Sequence, residues 1–124
     1  MSDRILVTLD GGVLTGILNR PEKKNAIDAP TIDGLYALFE RADLDAAVRV
    51  VAVRGAGKDF CAGMDLQELL DSAEHSVEEN RAAALRFGDL FVQMRALPKP
   101  VVAVVTGRAL AGGCGLATAC DLVV

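Results

Sequence analysis

The chain has 124 residues and a net charge of −4, with 52% hydrophobic and 24% charged residues. This length fits one ordinary domain with a buried core, and the composition is not that of a disordered chain. The basic residues form no stripe of the kind that nucleic-acid-binding proteins carry, and no apolar run is long enough for a membrane helix. We therefore expect neither nucleic acid nor a membrane as a partner.

The few metal-ligating residues predict no metal site. The sequence has three cysteines and one histidine, His75, and no paired-cysteine motif. A zinc site would lack ligands, and free thiols favour a reducing compartment. The N-terminus leads directly into a strand pattern without a visible signal peptide. These features predict a soluble cytoplasmic protein.

The first third of the chain predicts a hairpin followed by a helix. Two apolar runs, Ile5–Leu9 and Val13–Leu18, flank an Asp-Gly-Gly turn, which is a strong hairpin signal. A helix is predicted to open at Pro30. Its apolar residues recur at helical spacing and define one buried face: Ile32, Leu35, Phe39 and Ala42.

The middle of the chain predicts a buried strand, a tight loop and two helices. The run Arg49–Arg54 is typical of a strand covered on both faces. The small-residue segment Phe60–Gly63 leads to a short helix that starts at Asp65. A long helix is predicted over Val77–Ala96, with an apolar stripe formed by Leu85, Leu90, Phe91, Met94 and Leu97.

The last quarter predicts two further strands around a small helix. Val101–Val105 is a second continuous apolar strand, Gly115–Ala119 is predicted to be helical, and Asp121–Val124 starts a third buried strand. A buried strand needs neighbours on both edges and cover on both faces. We therefore expect that the chain is truncated or that a second chain completes it.

Two glycine-bearing loops, Ala62–Asp65 and Ala111–Cys114, each follow a strand and lead into a helix. Ligands of α/β proteins bind at this position, where helix N-termini present free backbone N–H groups. Two such groups aimed at one carbonyl oxygen would stabilise developing negative charge. Tight packing is the alternative interpretation. A dinucleotide loop is disfavoured, because Gly55–Gly57 lacks the third glycine of that motif.

Three segments together resemble the enoyl-CoA hydratase/isomerase (crotonase) family. Leu18–Ala26 is similar to its N-terminal signature, and Gly55–Leu69 and Lys99–Val123 are similar to its two oxyanion-hole segments, in the family order. The resemblance implies an α/β, crotonase-like spiral of ββα units. It also implies that residues 1–124 are the N-terminal part of a single domain of this kind.

The resemblance further implies an acyl-CoA thioester whose carbonyl oxygen lies between the backbone N–H groups of Met64 and Gly112. Coenzyme A is part of that substrate, so no separate cofactor is expected. The residues expected around the substrate and its coenzyme are Lys23, Lys24, Ala26, Ala62, Gly63 and Asp65. The lysines are equally well explained as solvated surface cations, and Asp65 as a helix cap.

The sequence departs from the hydratase pattern at Gly115, where the resemblance implies a glutamate. The second carboxylate, and the helices that build the family's trimer or hexamer, would follow Val124. Glu68 and His75 are expected on the surface, and Cys61 and Cys114 as inert buried thiols. A non-catalytic remnant or a subunit-pairing fragment is therefore the alternative to an enzyme.

Overall fold

The computed structural model describes residues 3–124, which form one mixed sheet with four α-helices. In chain order the elements are β1 (Ile5–Asp10), β2 (Val13–Leu18), α1 (Ala29–Leu44), β3 (Val50–Gly55), α2 (Leu66–Asp71), α3 (Val77–Ala96), β4 (Val101–Val104), α4 (Gly112–Ala119) and β5 (Leu122–Val123). Single 3₁₀ turns at Pro21–Lys23 and Ser72–Glu74 precede α1 and α3.

The strands of the sheet lie in the same order as in the sequence. The hairpin β1–β2 is antiparallel, as predicted, and β2, β3, β4 and β5 pair in parallel. Gly11 and Gly12 make the two-residue hairpin turn with φ of 57° and 82°. Positive φ at both positions suits the right-handed twist of the strands and favours glycine.

Two isolated parallel bridges link successive turns of the chain beside the main sheet. Ile27 pairs with Met64, and Cys61 pairs with Ala109. Each turn therefore contributes a sheet strand, a short bridging segment and a helix or pair of helices. This winding agrees with the predicted spiral of ββα units, in which the second strand of a unit is reduced here to a bridge.

The core lies between one face of the sheet and the helices. All four residues of the predicted α1 face are buried. Val51 and Val53 are fully buried in β3, but Val50 and Ala52 are only partly covered and Arg54 is exposed. The prediction that β3 is covered on both faces was therefore wrong over the described residues, because burial alternates with the pleat in β3, as it does in β4.

Two other predictions of burial were wrong. On α3, Leu90 and Met94 are buried as predicted, whereas Leu85 is 56% exposed. Strand β5 was predicted to be buried, but Leu122 and Val123 are 59% and 53% exposed. Strand β5 pairs with β4 on one edge, and over residues 3–124 no further strand pairs with its other edge.

Candidate active site

The first glycine-bearing loop runs parallel to the segment that follows β2. The Ala62 N–H donates to the Lys24 carbonyl at 3.0 Å. Further along, Ile27 donates to the Gly63 carbonyl and accepts from the Asp65 N–H, both at 2.8 Å. These bonds place residues 23–26 beside residues 62–65, and both segments contain predicted coenzyme-binding residues.

The same bonds fix the direction of the Met64 N–H. In a trans peptide the C=O and N–H groups point in opposite directions. The Gly63 carbonyl is held by the Ile27 N–H, so the Met64 N–H of that peptide faces away from the Ile27 segment. Among residues 3–124 this N–H meets no hydrogen-bond acceptor.

The second loop presents the Gly112 N–H at the start of α4. The Ala111 carbonyl accepts from the Gly115 N–H at 3.0 Å, so the Gly112 N–H of the same peptide points out of the helix. It too meets no acceptor within the described part of the chain. The positive end of the helix dipole adds to its attraction for a negatively charged oxygen.

The two loops touch, although Met64 and Gly112 are far apart in the sequence. A Cβ added at Gly63 would lie 3.2 Å from the Leu110 carbonyl oxygen and 3.8 Å from the Gly112 nitrogen. A Cβ added at Gly112 would lie 3.2 Å from the Met64 sulfur. Gly63, which also has φ of 116°, is the glycine that this close approach requires, whereas the neighbour of Gly112 is the end of a flexible side chain. The fold thus brings the two loops that carry the predicted N–H donors into contact.

A cleft of about 800 Å³ opens beside Met64, between α1, α2 and α3. Its walls include Ile32, Leu69, Ala84 and Phe87. This volume lies within the range of small-molecule sites, which are mostly apolar with a few polar groups. The cleft therefore opens next to the first of the two loops, at Met64.

The predicted coenzyme-binding residues differ in their exposure and in whether their side chains are already hydrogen-bonded. Lys23 and Lys24 are exposed, and Ala26 and Ala62 are half-buried. The carboxylate of Asp65 is already engaged, because it accepts from the Glu68 N–H and pairs with Arg20. The Glu68 N–H and, less strongly, the Arg20 guanidinium hold the pKa of Asp65 below its ordinary value. The structure thus gives Asp65 the capping role, and its contact with coenzyme A stays a prediction.

Sequence reasoning missed a buried polar hub at Asn25. This residue is 1% exposed and has φ of 56°. Its side-chain oxygen accepts from the Arg20 N–H at 2.8 Å, and its amide donates to the carbonyls of Ala56 and Asp59 at 2.9 Å. Asparagine tolerates positive φ better than most residues, so a polar loop between two apolar segments offered a weak signal for it.

Arg20 differs from the neighbouring cations Lys23 and Lys24, which are exposed. Its side chain is 11% exposed and pairs with Asp28 and Asp65. Sequence reasoning missed this role, because the sequence alone does not show that these carboxylates lie within reach.

Glu68 and His75, the side chains that could transfer a proton, are both exposed, as predicted. Both Glu68 oxygens accept from the Ala29 N–H, at 2.9 and 3.1 Å, although Glu68 and the exposed His75 line the cleft. Gly115 lies close to the Phe91 ring, 3.3 Å from an added Cβ. The position at which the resemblance implies a glutamate is therefore occupied by a glycine next to an aromatic ring.

The thiols divide between the two loops. Cys61 is buried, as predicted, and burial raises the pKa of its thiol. Cys114 was predicted to be buried, but it is exposed on α4.

Over residues 3–124, no helix combines the length and apolar character that crossing a membrane requires.

Comparison with known proteins identifies the family. The sequence model of the family described as enoyl-CoA hydratase/isomerase matches residues 8–124. A carnitinyl-CoA dehydratase of Proteus mirabilis (strain HI4320) is 39% identical over 125 residues, covering 100% of this chain and 46% of that protein. An enoyl-CoA hydratase of Alternaria alternata is 37% identical over 116 residues, covering 94% of this chain and 37% of that protein.

The solved structures give the same result at the level of the fold. An enoyl-CoA hydratase/isomerase from Xanthobacter autotrophicus Py2 superposes with a TM-score of 0.93 at 36% identity, covering 99% of this chain and 46% of that chain. The α/β spiral with its paired loops is thus a crotonase-like fold. The chain belongs to the enoyl-CoA hydratase/isomerase family, and it spans less than half the length of these relatives.

Proposed function

We propose that this chain binds acyl-CoA thioesters and stabilises negative charge on the thioester oxygen through the N–H groups of Met64 and Gly112. The observation that carries the proposal is the contact between two loops that each present an unpaired backbone N–H group. In each loop the carbonyl of the same peptide unit is fixed by another hydrogen bond. Donors held in place before the reaction stabilise a developing oxyanion without reorganising. Such stabilisation is the step that enolate chemistry at a thioester requires.

Coenzyme A fits the groups on the other side of the first loop. Lys23 and Lys24 are exposed cations next to the strand-like pairing of residues 24–27 with 62–65. Small residues at Ala26, Ala62 and Gly63 leave room for the flat and extended parts of the coenzyme. In this proposal the lysines bind its phosphates, and the acyl chain enters the cleft beside Met64.

The reaction subtype follows less directly from these residues. A hydratase of the family needs carboxylates to activate water and move a proton, and the first of these is replaced by Gly115 beside Phe91. We therefore place isomerisation, or another chemistry with its acid–base group elsewhere, ahead of straightforward hydration. The described residues supply the part of the site that holds and polarises the thioester.

Calorimetry with two matched ligands tests the proposal. Butyryl-CoA carries the thioester oxygen, and its thioether analogue has a methylene in place of the carbonyl. Losing both hydrogen bonds should weaken binding about tenfold. Equal affinities for the two ligands would contradict the proposed oxyanion site. An absence of heat with both ligands would contradict the assignment of coenzyme A as part of the ligand.

The lysine contacts are tested separately. The double substitution K23M/K24M should weaken binding of coenzyme A itself and reduce its dependence on salt, because the phosphate attraction is electrostatic. Arg81→Met, on the exposed face of α3, is the matched control and should leave the affinity unchanged. An unchanged affinity in the double variant would assign the lysines to the solvated surface.

A second candidate function is pairing with another polypeptide. Strand β5 favours it, since Leu122, Val123 and Val124 are 59%, 53% and 69% exposed. Exposed apolar strands at a sheet edge promote association. Sedimentation should then show concentration-dependent association of the chain, whereas a monodisperse monomer with a cooperative thermal transition would contradict it.

A further inference from the structure

Arg20 lies directly beneath the first donor loop. Its Nη1 atom donates to the Ala26 carbonyl at 3.1 Å and to Asp65 Oδ2 at 2.9 Å, and it lies 3.1 Å from Asp28 Oδ2. The Arg20 side chain is 11% exposed, and the two carboxylates are 8% and 11% exposed. Breaking an ion pair this well shielded from water is costly, because losing one partner leaves an uncompensated buried charge.

The two carboxylates are the N-caps of two different helices. Asp28 accepts from the Thr31 N–H at the start of α1, and Asp65 accepts from the Glu68 N–H at the start of α2. One guanidinium therefore connects two helix starts. Asp28 has a second cation in Arg4 at 2.9 Å, whereas Arg20 is the cation that pairs with Asp65 among residues 3–124.

This connection acts on the peptide that carries the Met64 N–H. Arg20 clamps Ala26 on one strand-like segment to Asp65 on the other, and between these contacts Ile27 holds the Gly63 carbonyl. A shift between the two segments would turn the Gly63–Met64 peptide. Without the guanidinium, the Asp65 carboxylate would lose its cation beside the Asp28 carboxylate, which keeps Arg4. The unpaired charge of Asp65 favours such a shift.

We propose that Arg20 is a positioning residue, which sets the direction of the Met64 N–H by holding residues 26–28 against residues 63–65. The inference rests on the proposed function, because it assigns Arg20 to the same oxyanion site. Arg20 contacts no substrate in this arrangement. It acts through the peptide it aligns, so replacing it should affect oxyanion stabilisation far more than coenzyme binding.

A second arginine–aspartate pair provides a control for the loss of an ion pair. Arg108 bonds to both oxygens of Asp59, at 3.0 and 3.1 Å, and the Arg108 and Asp59 side chains are 52% and 10% exposed. This pair joins the turn after β3 to the turn after β4, without a side-chain contact to either donor peptide. Its loss reports what removal of an ion pair does to the protein in general.

The test uses acetoacetyl-CoA, whose enolate absorbs in the near ultraviolet. Loss of a C2 proton to buffer leaves an electron pair that is delocalised onto the thioester and ketone oxygens. An oxyanion site raises the bound enolate fraction at a fixed pH. Wild-type chain should raise it above that of the free probe, and Arg20→Met should lower the bound enolate-to-keto ratio about tenfold, while the affinity for coenzyme A itself changes less than twofold.

Two further variants complete the test. Arg20→Lys keeps the charge and should recover part of the enolate signal, and Arg108→Met should retain all of it. If Arg20→Met does not fold, Asp65→Asn removes the charge attraction and keeps an oxygen for the Glu68 N–H. It should lower the ratio several-fold, and an unchanged ratio would overturn the proposal.

The outcomes separate the two levels of the argument. A full enolate signal in Arg20→Met, or an equal loss in Arg108→Met, overturns the positioning role and leaves the proposed function standing. If the wild-type chain binds acetoacetyl-CoA without raising the enolate fraction, the oxyanion site itself is wrong and the role of Arg20 falls with it.

Discussion

The two donor loops are held in place by different means. The first, residues 62–65, is tied to residues 24–27 by backbone hydrogen bonds and is reinforced by side chains, because Asp65 pairs with Arg20 and Asn25 anchors the neighbouring segment. The second, at the start of α4, is held by its own backbone and by close packing against Cys61. The first loop therefore depends on charge and polar satisfaction, whereas the second depends on small residues and backbone conformation.

This difference predicts how each loop tolerates substitution. Removing a polar side chain near the first loop leaves buried partners unsatisfied. Adding a methyl group near the second loop forces a packed backbone apart. Each substitution below is directed at one of these mechanisms, in order of expected effect.

The largest effect is expected at the polar hub. Asn25→Ala removes three hydrogen bonds, leaves buried groups unpaired and places alanine at φ of 56°. We expect a loss of about 4 kcal/mol in the free energy of unfolding, measured with urea. Asn80→Ala, which removes one exposed bond to Ser72, should change it by less than about 0.5 kcal/mol. Equal effects would show that the first loop does not depend on its hub.

The next effect concerns the packing of the second loop. A Cβ at Gly113 would lie 2.3 Å from the Cys61 carbonyl oxygen. Gly113→Ala should therefore cost about 3 kcal/mol in unfolding free energy and separate the loops. The control is Gly88→Ala in α3, where an added Cβ meets nothing within 4 Å. That change should stabilise the helix by about 1 kcal/mol, and destabilisation by both would remove the packing argument.

A smaller effect of opposite sign is expected at Ala111. This residue has φ of 49°, a conformation that favours glycine. Ala111→Gly relieves the strain at the cost of some unfolded-state entropy, so a net gain of about 1 kcal/mol is expected from thermal unfolding. Ala83→Gly, on the exposed face of α3, should cost about 1 kcal/mol. A loss at both positions would show that Ala111 is unstrained.

The smallest effect is expected for the reactivity of the thiols in the two loops. Cys114 is exposed, whereas Cys61 and Cys120 are buried, and burial raises the pKa of Cys120 to about 12. Ellman's reagent should therefore modify one thiol rapidly, because the thiolate is the reactive form. Cys114→Ser should abolish the fast phase and Cys61→Ser should leave it. Fast modification of Cys61 would mean that the first loop opens readily.

The sequence predicted local structure well and three-dimensional neighbours less well. The hairpin and α3 were predicted from apolar periodicity and turn residues, which are local features. The roles of Arg20 and Asn25 depend on partners that lie up to 45 residues away, and no local pattern reveals such pairs. Similarly, burial of Leu85, Cys114 and β5 depends on what covers them, which periodicity alone does not specify.

The donor residues were predicted by a different route. Glycine spacing left packing and catalysis both open, and the family resemblance singled out Met64 and Gly112. The structure adds the physical detail that both N–H groups are unpaired and that their carbonyl partners are fixed. Their role in binding a thioester oxygen stays a prediction.

Amide NMR of the labelled chain tests this role most directly. On titration with butyryl-CoA, the Met64 and Gly112 amide protons should both move downfield, because each gains a hydrogen bond to the thioester oxygen. The thioether analogue should bind and move neither of them downfield. If both ligands shift the same amides equally, or if Met64 and Gly112 stay in place while other amides report binding, the two loops do not form an oxyanion hole.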